Sequence, residues 1–135
     1  MISTNSKTAK LLIIDDDFAN AEMLRSFFEF CDYKQIRIIN DPRLAIDAFK
    51  SYLPDLILLD LAMPFVSGFE ILETLNSLVP EDEYLPVFIL TADVTEISNS
   101  KALQLGTSEY MLKPVNLKDL LCKVQVHLDR RFVEE

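Results

Sequence analysis

Charged and hydroxyl side chains stand where several apolar segments of the sequence end. Asp15 and Asp16 follow "LLII", Asp60 follows "DLILL", Thr91 follows "PVFIL" and Lys113 follows "EYML". Grouped carboxylates repel one another and raise one another's pKa unless a cation compensates them. Mg²⁺ suits such a group, since it binds one or two carboxylates, waters and phosphate oxygens. With a lysine and a threonine hydroxyl nearby, these residue types indicate a site where one carboxylate carries a phosphoryl group.

The elements that must bring these residues together can be predicted from the apolar pattern. Short apolar segments alternate with longer segments of helical period, which predicts a (βα)₅ chain with a parallel sheet wrapped by helices. Continuous apolar character marks 10–15, 55–60 and 86–90 as central strands, and the more mixed 35–39 and 109–112 as edge strands. Because ligands bind at the carboxyl ends of such strands, we expect the five residues to converge there.

Five helices are expected between and after the strands, at 19–31, 41–53, 67–78, 94–106 and 116–131. The second is expected to bury Leu44 and the third to bury Leu78. The fourth, "VTEISNSKALQLG", contains several poor helix formers and has a thin apolar stripe, so we expect it to be the least stable.

Composition limits the class of protein. With 135 residues, 50% of them hydrophobic, the chain is expected to form a single domain over 1–135, with its core over about 9–130. A net charge of −9 argues against binding of nucleic acid by this chain. The two glycines are too few for a dinucleotide-binding or P-loop motif.

Location is predicted from the same sequence. Apolar runs fall short of the roughly 20 residues of a membrane span, so we expect no membrane contact and a cytoplasmic protein. Cys31 and Cys122 are expected to be reduced, buried packing residues. The single histidine, His127, is expected to be an ordinary surface or part-buried helix residue.

Four segments together carry a resemblance to a known family. In order and spacing, "LLIIDDD", "DLILLDLAMP", "FILTA" and "EYMLKP" resemble the motifs of the response regulator receiver domain of two-component signalling, over about residues 9–130. The resemblance implies an α/β, flavodoxin-like, doubly wound (βα)₅ fold with strand order 2-1-3-4-5. It also implies a cis bond between Lys113 and Pro114.

Roles for individual residues come from the same resemblance. Asp60 corresponds to the phosphoacceptor, and Asp15 and Asp16 to the acidic pair that holds Mg²⁺, or Mn²⁺, together with Asp60 and the backbone carbonyl of Ala62. Three further positions match the family's switch hydroxyl, invariant lysine and aromatic switch residue, which are Thr91, Lys113 and Tyr110 respectively.

The resemblance implies partners and a readout surface as well. The phosphoryl donor would be a histidine kinase or a histidine phosphotransfer protein, and the chain would catalyse only its own phosphorylation and slow dephosphorylation. Phosphorylation would switch the face formed by the fourth predicted helix, the fifth strand and the fifth helix, which would control a partner, an output domain or a dimer. The helical ending "RRFVEE" favours a receiver cut from a longer protein over a stand-alone one.

Two other functions fit the sequence less well. An aspartate-nucleophile phosphatase needs a second acid two residues after the nucleophile, where this chain has Ala62, so turnover is disfavoured. A flavodoxin-like FMN protein needs a Ser, Thr or Gly-rich first loop, and "DDDFANAE" would repel a phosphate. Asp17 is interpreted as a first-turn acid of the following helix.

Overall fold

A five-stranded parallel sheet forms the centre of the part of the chain that the structure describes. The structure is a computed structural model, and it describes residues 8–61, 63–92 and 107–133. The strands lie in the order β2-β1-β3-β4-β5, which confirms the predicted order. Their bounds are Lys10–Ile14 (β1), Gln35–Ile39 (β2), Leu56–Asp60 (β3), Val87–Thr91 (β4) and Glu109–Leu112 (β5).

Helices flank both faces of the sheet. Those described are Phe18–Phe30 (α1), Ala45–Tyr52 (α2), Gly68–Leu78 (α3) and Leu117–Val133 (α4), the last corresponding to the fifth predicted helix. The fourth predicted helix, over 94–106, lies outside the described residues. Within the described ranges, no helix is long and apolar enough to cross a membrane.

The two faces of the sheet bury separate apolar clusters, because successive strand residues point to opposite sides. Leu11 and Ile13 of β1 face α1 and α4, whereas Leu12 and Ile14 face α2 and α3. β3 is buried along its whole length, as predicted for a central strand. Each such buried Leu or Ile stabilises the fold by roughly 1.5–3 kcal/mol. The α/β, doubly wound, flavodoxin-like architecture is thereby confirmed.

Three expectations about apolar side chains were wrong. Leu44 is 53% exposed, because Pro42–Leu44 form a 3₁₀ turn whose tighter winding takes Leu44 off the buried face of α2. Leu78 is 40% exposed, since it is the last residue of α3 and the helix has already passed its buried turns. Cys122 is exposed on α4, whereas Cys31 is half-buried and packs against the apolar cluster beneath α1 and α4.

An ion-pair network fastens the end of α4 to the amino edge of the sheet. Arg131 Nε donates to Asp55 Oδ1 at 3.0 Å, and Arg131 Nη1 donates to the Tyr84 carbonyl at 2.6 Å. The second oxygen of Asp55 accepts the backbone N–H of Lys10 at 2.8 Å. Since the Arg131 and Asp55 side chains are only 11% and 14% exposed, this network fixes where α4 lies across β1 and β3.

Candidate functional site

Asp15 lies immediately after β1, at the carboxyl edge of the sheet. It is 2% exposed. Its backbone N–H donates to the Ile39 carbonyl at 3.1 Å, and its own carbonyl accepts Asn40 Nδ2 at 2.9 Å. The end of β2 therefore fixes the backbone that carries this buried carboxylate.

Asp60 ends β3, the central strand, and is 6% exposed. Gly68, the first residue of α3, lies so near that a Cβ there would come within 2.7 Å of the Asp60 carbonyl and 2.6 Å of Leu61 Cα. The Gly68 N–H also donates to the Leu61 carbonyl at 3.1 Å. Glycine is therefore needed at position 68 for α3 to approach the strand end that carries Asp60.

Asp15, Asp16 and Asp60 form one acidic cluster. One carboxylate oxygen from each lies within 4.8 Å of the others, with Asp15 and Asp60 buried and Asp16 exposed. Three carboxylates this close repel one another, and their hard oxygen atoms match the ligands preferred by Mg²⁺ and Mn²⁺. These residues therefore fit a divalent cation. Ala62, predicted to contribute a carbonyl, lies outside the described residues.

Lys113 brings a positive charge into this cluster. Its Nζ lies 3.1 Å from Asp15 Oδ2 and 3.4 Å from Asp60 Oδ2. Burial alone would lower the pKa of Lys113, but the charges of Asp15 and Asp60 outweigh it, so the pKa is raised above its usual value. Lys113 is thus an ammonium at neutral pH that compensates two buried carboxylates.

Thr91 and Tyr110 lie on the last two strands of the sheet. Thr91 ends β4 and is fully buried, and its carbonyl accepts the backbone N–H of Lys113 at 2.8 Å. Tyr110, on β5, pairs with Ile89 and is 39% exposed. Thr91 therefore shares the carboxyl edge with the acidic cluster. Tyr110 lies farther from that edge, level with Ile89, which is two residues before Thr91 on β4. The Lys113–Pro114 bond is cis, as predicted.

Asp17 and His127, which are not predicted to take part in the site, contact structural partners. Asp17 is the N-cap of α1, its Oδ1 accepting the Asn20 backbone N–H at 3.1 Å, so it stands just before the first turn, where it was expected as an acid. His127 hydrogen-bonds Tyr84 Oη through Nδ1 and lies 2.9 Å from Glu109 Oε2 through Nε2. Both ring nitrogens thus have protein partners, as expected of a part-buried helix residue.

Sequence reasoning missed Asn20, Asn40 and Gly68, which support the acidic residues. The only local signal was for Gly68, which is one of two glycines and stands at the start of the third predicted helix. Asn20 Nδ2 donates to Asp15 Oδ2 at 2.6 Å, a contact that no sequence periodicity indicates.

Comparison with known proteins agrees with this geometry. A family model described as "Response regulator receiver domain" matches residues 11–125. The chain is 33% identical over 121 residues to response regulator MprA of Mycolicibacterium vanbaalenii, covering 90% of this chain and 51% of that protein. It is 31% identical over 121 residues to the DNA-binding response regulator MtrA of Mycobacterium tuberculosis, with coverage of 90% and 51%.

Solved structures show the same likeness. The crystal structure of a CheY-like response regulator receiver domain protein from Methanospirillum hungatei superposes with a TM-score of 0.85 at 28% identity, covering 94% of this chain and 98% of that one. A two-component response regulator from Clostridium difficile gives a TM-score of 0.81 at 29% identity, with coverage of 90% and 97%. The chain spans about half the length of the curated relatives that it matches. It belongs to the response regulator receiver domain family of two-component signalling.

Proposed function

We propose that this chain accepts a phosphoryl group on Asp60 in a reaction that depends on Mg²⁺ or Mn²⁺. One observation carries the proposal: the Asp60 carboxylate lies in a cluster with Asp15 and Asp16 and within 3.4 Å of the Lys113 ammonium. Nucleophile, cation ligands and a positive charge are thus collected at one edge of the sheet, where α/β proteins bind ligands.

The proposed transfer is an in-line displacement at phosphorus. An oxygen of Asp60 forms the new bond, and the bond to a phosphohistidine nitrogen, or to the oxygen of a small acyl phosphate, breaks with its electron pair leaving on the donor. Neutralisation of the phosphoryl oxygens is the chemistry that a bound divalent cation supplies. Lys113 adds a second positive charge, and the Thr91 hydroxyl donates to a phosphoryl oxygen. Asp15, Asp16 and Asp60 would hold the cation, and the carbonyl of Ala62, which lies outside the described residues, is expected to complete its protein ligands.

Turnover of phosphate esters is not part of this proposal. Ala62 stands two residues after Asp60, where an aspartate-nucleophile phosphatase would need an acid for the leaving group. The chain would therefore catalyse its own phosphorylation and slow dephosphorylation, as a signalling protein.

The proposed partners follow from the family. Response regulators receive their signal from a histidine kinase or a histidine phosphotransfer protein. The curated relatives are about twice as long as the matched region, and MtrA is described as DNA-binding. We propose that residues 1–135 act as one receiver domain, and that any contact with DNA would be made by an output domain outside this chain.

Phosphorylation is proposed to act through Thr91 and Tyr110. Thr91 moves toward the new phosphoryl oxygens, and Tyr110 turns from its half-exposed position into the space beside it. The surface over β5, α4 and the predicted fourth helix would then change its fit to a partner, an output domain or a second copy.

Intact-mass spectrometry after incubation with acetyl phosphate tests the transfer. With Mg²⁺ present, the wild type should gain the mass of one phosphoryl group, and Asp60→Asn should not. Chelation of the metal, or Asp16→Asn, should slow the gain by removing the cation or weakening its site. Asp47→Asn is the matched control, because this exposed carboxylate on α2 lies outside the acidic cluster. Equal phosphorylation of the wild type and Asp60→Asn would refute the proposal.

A further inference from the structure

We propose that Asn20 is a positioning residue that sets the affinity of the acidic cluster for its divalent cation. The inference deepens the proposed function and rests on it. Asn20 lies in the first turn of α1, half-buried, and its side-chain amide donates to Asp15 Oδ2 at 2.6 Å.

Asp15 is held by donors from three directions. The Asp17 N–H donates to Oδ1 at 2.9 Å, while Asn20 Nδ2 and Lys113 Nζ both contact Oδ2, at 2.6 and 3.1 Å. A carboxylate has about four acceptor positions. Among the donors in the described residues, two therefore engage Oδ2 and one engages Oδ1, so Oδ1 keeps more capacity to bind a cation.

Of these donors, Asn20 is the one that can hold the carboxylate while a cation and a phosphoryl group enter. The Lys113 ammonium also faces Asp60, so it is the group that must meet the incoming phosphoryl oxygens. The hydrogen bond from the Asp17 N–H fixes one oxygen of the Asp15 carboxylate, but the carboxylate can still rotate about that oxygen. With Asn20 on the other oxygen, the plane of the Asp15 carboxylate is set before any ligand binds.

The backbone of Asp15 is fixed independently. Asn40 binds its carbonyl and Ile39 accepts its N–H, so the strand end stays in place whatever residue occupies position 20. Removal of the Asn20 amide should then change the orientation of the side chain and not the position of the strand. Loss of a group that orients a metal ligand typically weakens metal affinity by 10–100-fold.

The placement of asparagine here is not explained by helix formation. Asparagine is a weaker helix former than alanine, and Asp17 already caps α1 by accepting the Asn20 backbone N–H. Since that cap uses only the backbone of position 20, Asn20→Ala keeps it and removes the contact with Asp15 alone.

The test is the Mg²⁺ dissociation constant, obtained from the dependence of the thermal midpoint on Mg²⁺ concentration. Asn20→Ala and the similarly sized Asn20→Leu should each raise Kd by about tenfold. Asn76→Ala, on the exposed face of α3, is the matched control and should leave Kd within about twofold of the wild type. The metal-free midpoints report separately on any purely structural effect.

The outcomes separate this inference from the proposed function. A Kd within twofold of the wild type in both Asn20 variants would overturn the inference alone, provided that the wild type binds Mg²⁺ and takes up a phosphoryl group. A drop in metal-free midpoint with unchanged Kd would likewise show a structural role only. A wild type that neither binds Mg²⁺ nor gains a phosphoryl group would overturn both.

Discussion

The ammonium of Lys113 lies between two buried carboxylates, and its role can be separated from that of the metal. Asp15 and Asp60 are 2% and 6% exposed, so their charges cannot be solvated by bulk water in the absence of a cation. Lys113, within 3.4 Å of both, compensates them in the metal-free protein. A cation bound at the acidic cluster would stabilise the same pair of charges as the lysine.

Lys113→Ala should therefore destabilise the metal-free protein by about 2 kcal/mol. Breaking a fully buried ion pair costs ~3–5 kcal/mol, and the expected loss is smaller because the Lys113 side chain is 21% exposed. Saturating Mg²⁺ should restore part of the loss, since it supplies the missing charge. Urea unfolding with and without Mg²⁺ measures both quantities, with exposed Lys118→Ala as the control. Equal losses in the two conditions would contradict shared compensation.

The pH dependence of that contribution has a definite sign. The folded-state pKa of Lys113 is raised above its usual 10.5, so the stabilisation is fully present below the unfolded pKa and falls only as the pH rises through the folded one. The difference in metal-free stability between wild type and Lys113→Ala should accordingly be constant from pH 7 to pH 9.

At the scale of single residues, sequence predicts the groups that follow strands and misses those that support them. Asp15, Asp16, Asp60, Thr91 and Lys113 all come after apolar segments, and the structure brings them to one edge. The role of Asn20 depends on the direction in which its side chain leaves the first turn of α1. Neither the spacing of residues nor the composition specifies that direction. Positions of this kind are visible only from three-dimensional contacts.

β5 is the element that connects the acidic cluster to the surface. Thr91 of β4 pairs with Leu112 of β5, and the next residue, Lys113, donates its backbone N–H to Thr91 while its side chain contacts Asp60. We expect a change at Asp60 to reach β5 through Lys113, whose side chain contacts Asp60 and whose backbone N–H binds Thr91. Tyr110 and Leu112 of β5 are 39% and 45% exposed, so they would present that change at the surface.

Hydrogen exchange should detect this coupling. Incubation with acetyl phosphate and Mg²⁺ should alter exchange in peptides spanning 92–112, because Thr91 and Lys113 gain a new bonding partner at Asp60. Peptides of β2, at the opposite edge of the sheet, serve as the internal reference, and Asp60→Asn is the control protein. Unchanged exchange across 92–112 in fully phosphorylated protein would contradict a switch through β5.

The strands and most helices were predictable because their signals are local. Continuous apolar segments marked β1, β3 and β4, and their observed bounds lie within a residue of the predicted ones. The start of the second helix was harder, since a proline after a capping aspartate fits the first turn of an α-helix and of a 3₁₀ helix alike. Only packing decides how such a turn winds, and hence that Leu44 faces solvent.

At the scale of the whole molecule, charge is distributed unevenly along the chain. No Lys or Arg occurs between Lys50 and Lys101, whereas that stretch includes Asp60 and several exposed acids of α3 and the following loop. The acids of the first loop, Asp15 to Asp17, lie between Lys10 and Arg25. Trypsin, which cuts after Lys and Arg, therefore places the two groups of acids on separate peptides.

That separation gives the most direct test of the central claim, that Asp60 carries the phosphoryl group. Borohydride reduces an aspartyl phosphate to homoserine, and tandem mass spectrometry of the tryptic peptides then locates the altered residue. After incubation with acetyl phosphate and Mg²⁺, homoserine should be found at position 60, on the peptide spanning 51–101. Homoserine at Asp15, Asp16 or Asp17, or unmodified peptides from protein that had gained the phosphoryl mass, would contradict the assignment.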